Sequence, residues 1–393
     1  MKSLLLLFLV QVFFQDPADV EPEALKWFRE GENLIGTQRE YSDEHAAHFL
    51  KAVELDPKFG PAHYNLALIY LQQNRQSLAL GQLNTLIELD PRHQRAYVLR
   101  GRLRLMNEQV DSGLDDLRRA LDLDPQDYQA WPLTGTARYR RKQFQEAKKA
   151  FLSALEASPD RAGAFFDLAL SQQALGEKKA AIINYQKFLE RAPDDFEAHF
   201  SLGLLYREIG ETDLALIHFL KAEELNPASS KLAEELGNYY FDQGNFKEAQ
   251  NRFLRTNLNS VGKLANLGII AKNEERYVQA EEYFREAIEN EPNAILWAHL
   301  GDVLFRLNRE KQAVQAYQTA LNYDPEDFEA LYNLGTLYAR SDRISESISL
   351  LKLGTDCAFT MLLNNLFSKS ASMRNLIILK TSQKCFHRII IVF

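Results

Sequence analysis

The chain has 393 residues, of which 46% are apolar and 25% charged, with a net charge of −8. That length exceeds what one compact core serves, and the composition is that of an ordered chain in water. The acidic balance argues against a nucleic-acid partner, because a phosphate backbone selects basic stripes.

Met1, Lys2 and Ser3 precede an apolar run from Leu4 to Phe14. The run has the length of a signal-peptide core and falls short of the roughly 20 apolar residues needed to span a bilayer. Phe13, Phe14 and Gln15 are not the small residues that cleavage prefers, and Ala18 is the nearest that is. The expectation is an exported protein, periplasmic or secreted, or one anchored through an uncleaved N-terminus. An apolar first helix capping a helical stack is less favoured, because the stretch up to Pro22 carries two prolines and reads as a linker. Residues 1–22 are therefore set apart from the rest.

From there the chain repeats. Pro57, Pro91, Pro125, Pro159, Pro193 and Pro227 lie 34 residues apart, and the rhythm resumes at Pro292 and Pro325. A period of this size marks one supersecondary unit stacked many times. Each unit carries a second pattern. His199, Leu202, Gly203 and Tyr206 fall at i, i+3, i+4 and i+7, one face of a helix, and Ala215, Phe219 and Ala222 fall on one face of a second. Trp297, Leu300, Gly301 and Leu304, then Ala313, Tyr317 and Ala320, repeat it. Each unit is thus a helical hairpin whose small residues mark the close approach.

Turn signals agree. Gly176, Gly210 and Gly244, with Asn74, Asn308 and Asp342 at the same place elsewhere, tolerate the left-handed backbone that ends a helix. Asp127, Asp160, Asp194, Ser229 and Asp327 come after the prolines as N-caps of the next hairpin.

Eight positions recurring together make the chain resemble the tetratricopeptide repeat (TPR) family. Ten units are placed at 24–59, 60–93, 94–127, 128–161, 162–195, 196–229, 230–260, 261–293, 294–327 and 328–361, so the array occupies 24–354 before the pattern fails. The first unit carries a short insertion before its second helix. The seventh is three residues short and lacks its proline, so an offset is expected near 255–263. The resemblance implies an all-α, right-handed solenoid whose first helices line a concave wall along which partner peptides lie.

Beyond Gly354 the segment 355–393 breaks the pattern. It carries +4, leaving −12 for the remainder, and ends in Ile389, Ile390, Ile391, Val392 and Phe393. Three readings stay open: a helix docked on the last unit, a basic membrane-surface segment, or a stretch foreign to the family. Both cysteines, Cys357 and Cys385, lie there, without C-x-x-C spacing, so zinc and redox chemistry have little support.

No G-x-S-x-G, P-loop, H-E-x-x-H or dinucleotide turn occurs. No catalytic residue, metal or cofactor is expected. His45 and His48, beside Glu44, read as packing, and Trp27, Trp131 and Trp297 share one repeat position and read as core. What remains is a groove. On the geometry that the resemblance implies, its wall in units two to six is Tyr64, Leu68, Leu71, Val98, Arg102, Leu105, Thr136, Tyr139, Phe166, Leu170, Phe200, Leu204 and Arg207. Arg102, Arg140 and Arg207 stand available to a carboxylate. Later units are more polar there, as in Glu234, Asn238, Lys272, Asp302 and Thr336.

Two known specialisations of such arrays do not fit. The chaperone-tail clamp needs a Lys and Asn pair where Tyr64 and Leu68 stand. The asparagine ladder of protein O-linked acetylglucosamine transferases is met by Asn65, Asn266 and Asn333 but not by Leu99, Leu133, Asp167, Ser201, Glu235 or His299. The expected function is a non-enzymatic scaffold binding a protein or peptide in the N-terminal half of the groove. Two alternatives stay open: a glycosyltransferase-like enzyme's recognition arm, with catalysis on another chain, and a membrane-tethered assembly or secretion factor held by its N-terminus or tail.

Overall fold

The computed structural model describes residues 20–256 and 259–354. The N-terminal apolar run, the tail with both cysteines, and residues 257–258 within the expected offset lie outside the described residues. Among the described residues the chain forms helices only. They divide into two units at the turn between Glu211 and Thr212.

The N-terminal unit holds α1 (Pro22–Glu32), α2 (Asp43–Leu55), α3 (Gly60–Gln72), α4 (Gln76–Leu89), α5 (Gln94–Met106), α6 (Val110–Leu123), α7 (Ala130–Arg140), α8 (Phe144–Ala157), α9 (Ala162–Ala174), α10 (Lys178–Leu189) and α11 (Phe196–Glu208). The C-terminal unit holds α12 (Thr212–Leu225), α13 (Ser230–Asp242), α14 (Phe246–Leu254), α15 (Val261–Asn273), α16 (Tyr277–Asn290), α17 (Ala294–Arg306), α18 (Glu310–Tyr323), α19 (Phe328–Arg340) and α20 (344–354). Within each unit a helix packs on its hairpin partner and on the first helix of the next hairpin. The core therefore runs along each stack as a chain of clusters.

One contact recurs in hairpin after hairpin. A Cβ built on Gly135 of α7 would lie 2.5 Å from the Phe151 ring of α8, and Gly237 meets Phe253, Gly268 meets Phe284 and Gly301 meets Tyr317 in the same way. These rings are buried, and each partner lies sixteen residues after its glycine. In the first hairpin Gly31 meets Phe49 instead, two residues later, and the α1–α2 turn runs over 33–42. Deleting the Cβ lets an aromatic ring come close against the facing backbone, where roughly 2–3 kcal/mol of apolar burial is gained per ring.

The third hairpin departs from this pattern. Arg100 stands where other units place a leucine, and its guanidinium donates to both carboxylate oxygens of the buried Asp116 at 3.0 and 2.7 Å, joined by Arg104 at 2.9 Å. Gly101 and Gly113 let the two backbones close, with Leu117 where the ring would be.

Turns show the same economy of positions. Asn74, Gly176, Gly210, Gly244, Asn308 and Asp342 all have positive φ, as the residue types imply. Glu108, Lys142 and Glu275 occupy the equivalent place with φ near 60° and carry no such signal. Caps are partly as read: Ser229 and Asp327 accept the expected backbone N–H, and Asp127 accepts from Ala130. The cap of α11 is Asp195, not Asp194, and α9 starts at Arg161 without a side-chain cap, so Asp160 is not one.

The tryptophans are half-buried at the core margin rather than within it. Trp131 Nε1 donates to the Pro125 carbonyl at 2.9 Å, and Nε2 of His63 and of His199 reaches the carbonyls of Pro57 and Pro193 at 3.0 Å. Each bond goes back six residues. Pro292 sits only five before Trp297, whose buried Nε1 has no hydrogen-bond partner among the described residues. In the shortened seventh unit α14 has nine residues, and the buried Lys263 donates to the Thr256 carbonyl at 2.8 Å. A lysine thus closes a helix end where the unit has no proline. His45 and His48 turn apart: His45 Nδ1 accepts from Tyr41 N, whereas His48 faces Glu30.

Two glycine-to-alanine substitutions should move stability in opposite directions. Gly135→Ala forces a methyl group against Phe151 and should cost about 1–3 kcal/mol. Gly81→Ala, in the middle of α4 with nothing within 4 Å of the new Cβ, should stabilise by up to about 1 kcal/mol. Urea midpoints of the two variants against the parent decide it; a loss of stability in both contradicts the packing described.

Candidate functional site

The fourteen wall residues all lie on first helices of the N-terminal unit: Tyr64, Leu68 and Leu71 on α3, Val98, Arg102 and Leu105 on α5, Thr136, Tyr139 and Arg140 on α7, Phe166 and Leu170 on α9, Phe200, Leu204 and Arg207 on α11. They differ in what they offer. Leu68 and Val98 are buried, and Leu105 lies over Gly113 of α6, so these support the wall from behind. Arg102, Arg140 and Arg207 are exposed, and the others are half-buried. Tyr64 packs on His93 at 5.4 Å, and burial pushes its hydroxyl up to about 12. Tyr139 packs on Phe144, Phe166 on Tyr185 and Phe188, and Phe200 stacks on Phe196 at 5.8 Å.

Among these rings sits Asp167 of α9. Its carboxylate is half-buried, and burial pushes its pKa up to about 6 against the weaker opposing pull of Arg161. No hydrogen bond to its carboxylate oxygens forms among the described residues. In the sequence it stands out only as a position where the asparagine ladder fails.

The C-terminal unit resolves its polar wall differently. A cavity of about 350 Å³ is lined by Lys272, Asn273, Tyr277, Asp302, Phe305, Arg306, Tyr317, Asn333, Thr336 and Leu337. Its centre is Asp302 of α17. Oδ1 accepts from the Tyr317 hydroxyl at 2.7 Å and Asn333 Nδ2 at 2.8 Å, and Oδ2 from Lys272 Nζ at 3.1 Å. Lys272, Asp302 and Asn333 come from three successive first helices, α15, α17 and α19, so the hub is absent from any one repeat. Asn266 likewise donates to Asn238 at 3.1 Å, so two of the three ladder asparagines are engaged within the chain.

His299, Asp302 and Glu329 bring ligand atoms within 4.8 Å of one another. The cation among them is the chain's own: Lys272 Nζ lies 3.1 Å from Asp302 and 3.5 Å from His299 Nδ1. An ammonium there already supplies the positive charge that a metal ion would bring, and would repel one. Burial, then Lys272, holds His299 down to about 4, so its 3.7 Å approach to Glu329 is a contact of a neutral ring.

This stacking of two-helix units, with close-packed small residues and left-handed turns at one recurring place, defines a helical-hairpin repeat protein. A family model described as tetratricopeptide repeat matches residues 43–93, 64–128, 98–162, 133–183, 166–230 and 266–321, and a second, described as TPR repeat, matches 301–342. The chain belongs to the tetratricopeptide repeat family. It is 29% identical over 97 residues to the TPR repeat-containing protein MJ1428 of Methanocaldococcus jannaschii, a match covering 25% of this chain and 17% of that protein. Among solved structures, YrrB, described as a TPR protein with an unusual peptide-binding site, is similar at 22% identity and a TM-score of 0.43, over 46% of this chain and 94% of that one. Pseudomonas aeruginosa PilF is similar at 19% and 0.47, over 54% and 95%.

The His299 environment makes the C-terminal unit sensitive to acid. A histidine held low in the fold binds its proton more readily once unfolded, so its contribution is intact above about 6.5 and is lost as pH falls toward about 4. Thermal melts of the parent should fall across that window, and His299→Gln should flatten the fall. An unchanged slope in the variant would remove His299 from the account.

Proposed function

We propose that the protein is a non-catalytic scaffold that seats a peptide segment of a partner protein along the first helices of its N-terminal unit. The observation that carries this reading is the row of half-buried apolar and aromatic side chains on successive first helices, with Tyr139, Phe166 and Phe200 at its centre. Aromatic side chains that keep accessible faces while held by packing behind them are the usual anchors of a peptide site. Arg102 and Arg140 at the exposed margin add donors for polar groups of the segment. In the other unit the wall is occupied by hydrogen bonds within the chain, which favours the N-terminal wall as the docking face.

The site of action belongs to the same proposal. The basic start and the apolar run from Leu4 to Phe14 support work outside the cytoplasm, with the segment either removed or kept as an anchor. Among the described residues no helix is long and apolar enough to cross a membrane.

Two experiments test these points. Peptides selected from a displayed library by the full chain should lose about tenfold or more in affinity to Tyr139→Ser and Phe200→Ser, with helicity and melting temperature retained; undiminished binding would move the site elsewhere. Cell fractionation should find the protein in the periplasm, medium or membrane fraction, and recovery in cytosol alone would refute export.

A further inference from the structure

We propose that the segment seated on the N-terminal wall presents a lysine or arginine side chain to Asp167, supplying a counter-charge that the described residues of this chain do not. The inference rests on the reading of that wall as a peptide site and specifies the chemistry of its occupant.

Asp167 comes directly after Phe166 on the wall face of α9. The groups around it are accounted for. Among the described residues Arg161, the N-cap residue of α9, is the one cation acting on it, and Arg161 Nη1 is engaged with the Tyr128 carbonyl at 2.9 Å. Tyr185 of α10 is close, but its hydroxyl donates to Gln173 at 3.0 Å. Around Tyr185 stand Tyr139 of α7 and Glu197 and Ser201 of α11, none of them a cation. The carboxylate has therefore given up much of its water and received no donor in return, which is costly unless a partner arrives.

The C-terminal unit shows what a satisfied wall carboxylate looks like in this protein. Tyr317 occupies the repeat position of Tyr185, yet its hydroxyl donates to Asp302, which stands three residues beyond the repeat equivalent of Asp167, His299, and also receives Asn333 and the Lys272 ammonium. At Asp167 the tyrosine is turned to a glutamine, and no lysine among the described residues reaches in. The half-buried Phe166 ring, held 5.4 Å from the fully buried Tyr185, suits the missing group: it offers apolar and π surface to the stem and head of a long cationic side chain. A glutamate in that place would set two carboxylates together.

The test uses the full chain and synthetic dodecapeptides built on a wall-binding sequence, with one central position set to Lys, Arg, Gln or Glu. The parent should bind the Lys and Arg peptides about tenfold more tightly than the Gln peptide and reject the Glu peptide. Asp167→Asn, an isosteric change, should erase the Lys-over-Gln preference while leaving Gln-peptide affinity unchanged. Lys-peptide affinity should rise from pH 5 to 7 as the carboxylate ionises, and only with Asp167 present. Equal binding of Lys and Gln peptides, or a preference that survives Asp167→Asn, overturns this inference alone. Peptides insensitive to Phe200→Ser, or no peptide binding at all, overturn the wall reading and this inference with it.

Discussion

Everything in this architecture depends on two helices of a hairpin coming close enough for a ring on one to lie against bare backbone on the other. Gly135 under Phe151, Gly237 under Phe253, Gly268 under Phe284 and Gly301 under Tyr317 are one interaction used repeatedly. Because the ring covers the facing helix, the second helix keeps an apolar flank for the next hairpin, and stacking becomes the way each unit completes its burial. Ala67 and Ala169 serve at the same place above Leu83 and Tyr185, so the position asks for a small side chain and glycine is its tightest form.

Where that interaction is given up, the chain substitutes another of the same reach. The third hairpin carries Leu117 in place of the ring and, in place of the leucine, a guanidinium clamped on a buried carboxylate, Arg100 on Asp116, with Gly101 and Gly113 keeping the backbones near. A bidentate pair satisfies both groups with fixed geometry, yet its desolvation offsets much of its attraction. It holds register in that hairpin more than it adds stability. Lys263 on the Thr256 carbonyl is a comparable repair at the shortened seventh unit.

The sequence made the hairpins, the small-residue positions and six of the left-handed turns legible, because each depends on one residue type at one recurring place. Glu108, Lys142 and Glu275 stayed hidden because a turn held by its neighbours on both sides can take an unfavourable residue at a cost of roughly 1–2 kcal/mol. Arg100 and Asp116 were hidden for another reason: a pair is visible only once two helices are docked. The Asp302 hub needs four helices, from three units that the period treats as copies. Of the wall residues, their placement on first helices could be read, but not that Leu68 and Val98 would be buried.

Repetition of the backbone makes the differences between walls informative. Asp167 and Asp302 both stand on first helices, Asp302 three residues beyond the repeat place that Asp167 holds. In the C-terminal unit the carboxylate is met from within, so the donors around Asp302 are already spent. In the N-terminal unit Asp167 keeps its demand open. If the N-terminal wall is the docking face that we propose, a scaffold built from similar hairpins acquires its preference in this way: the polar groups left unsatisfied on one wall set where binding brings the larger gain.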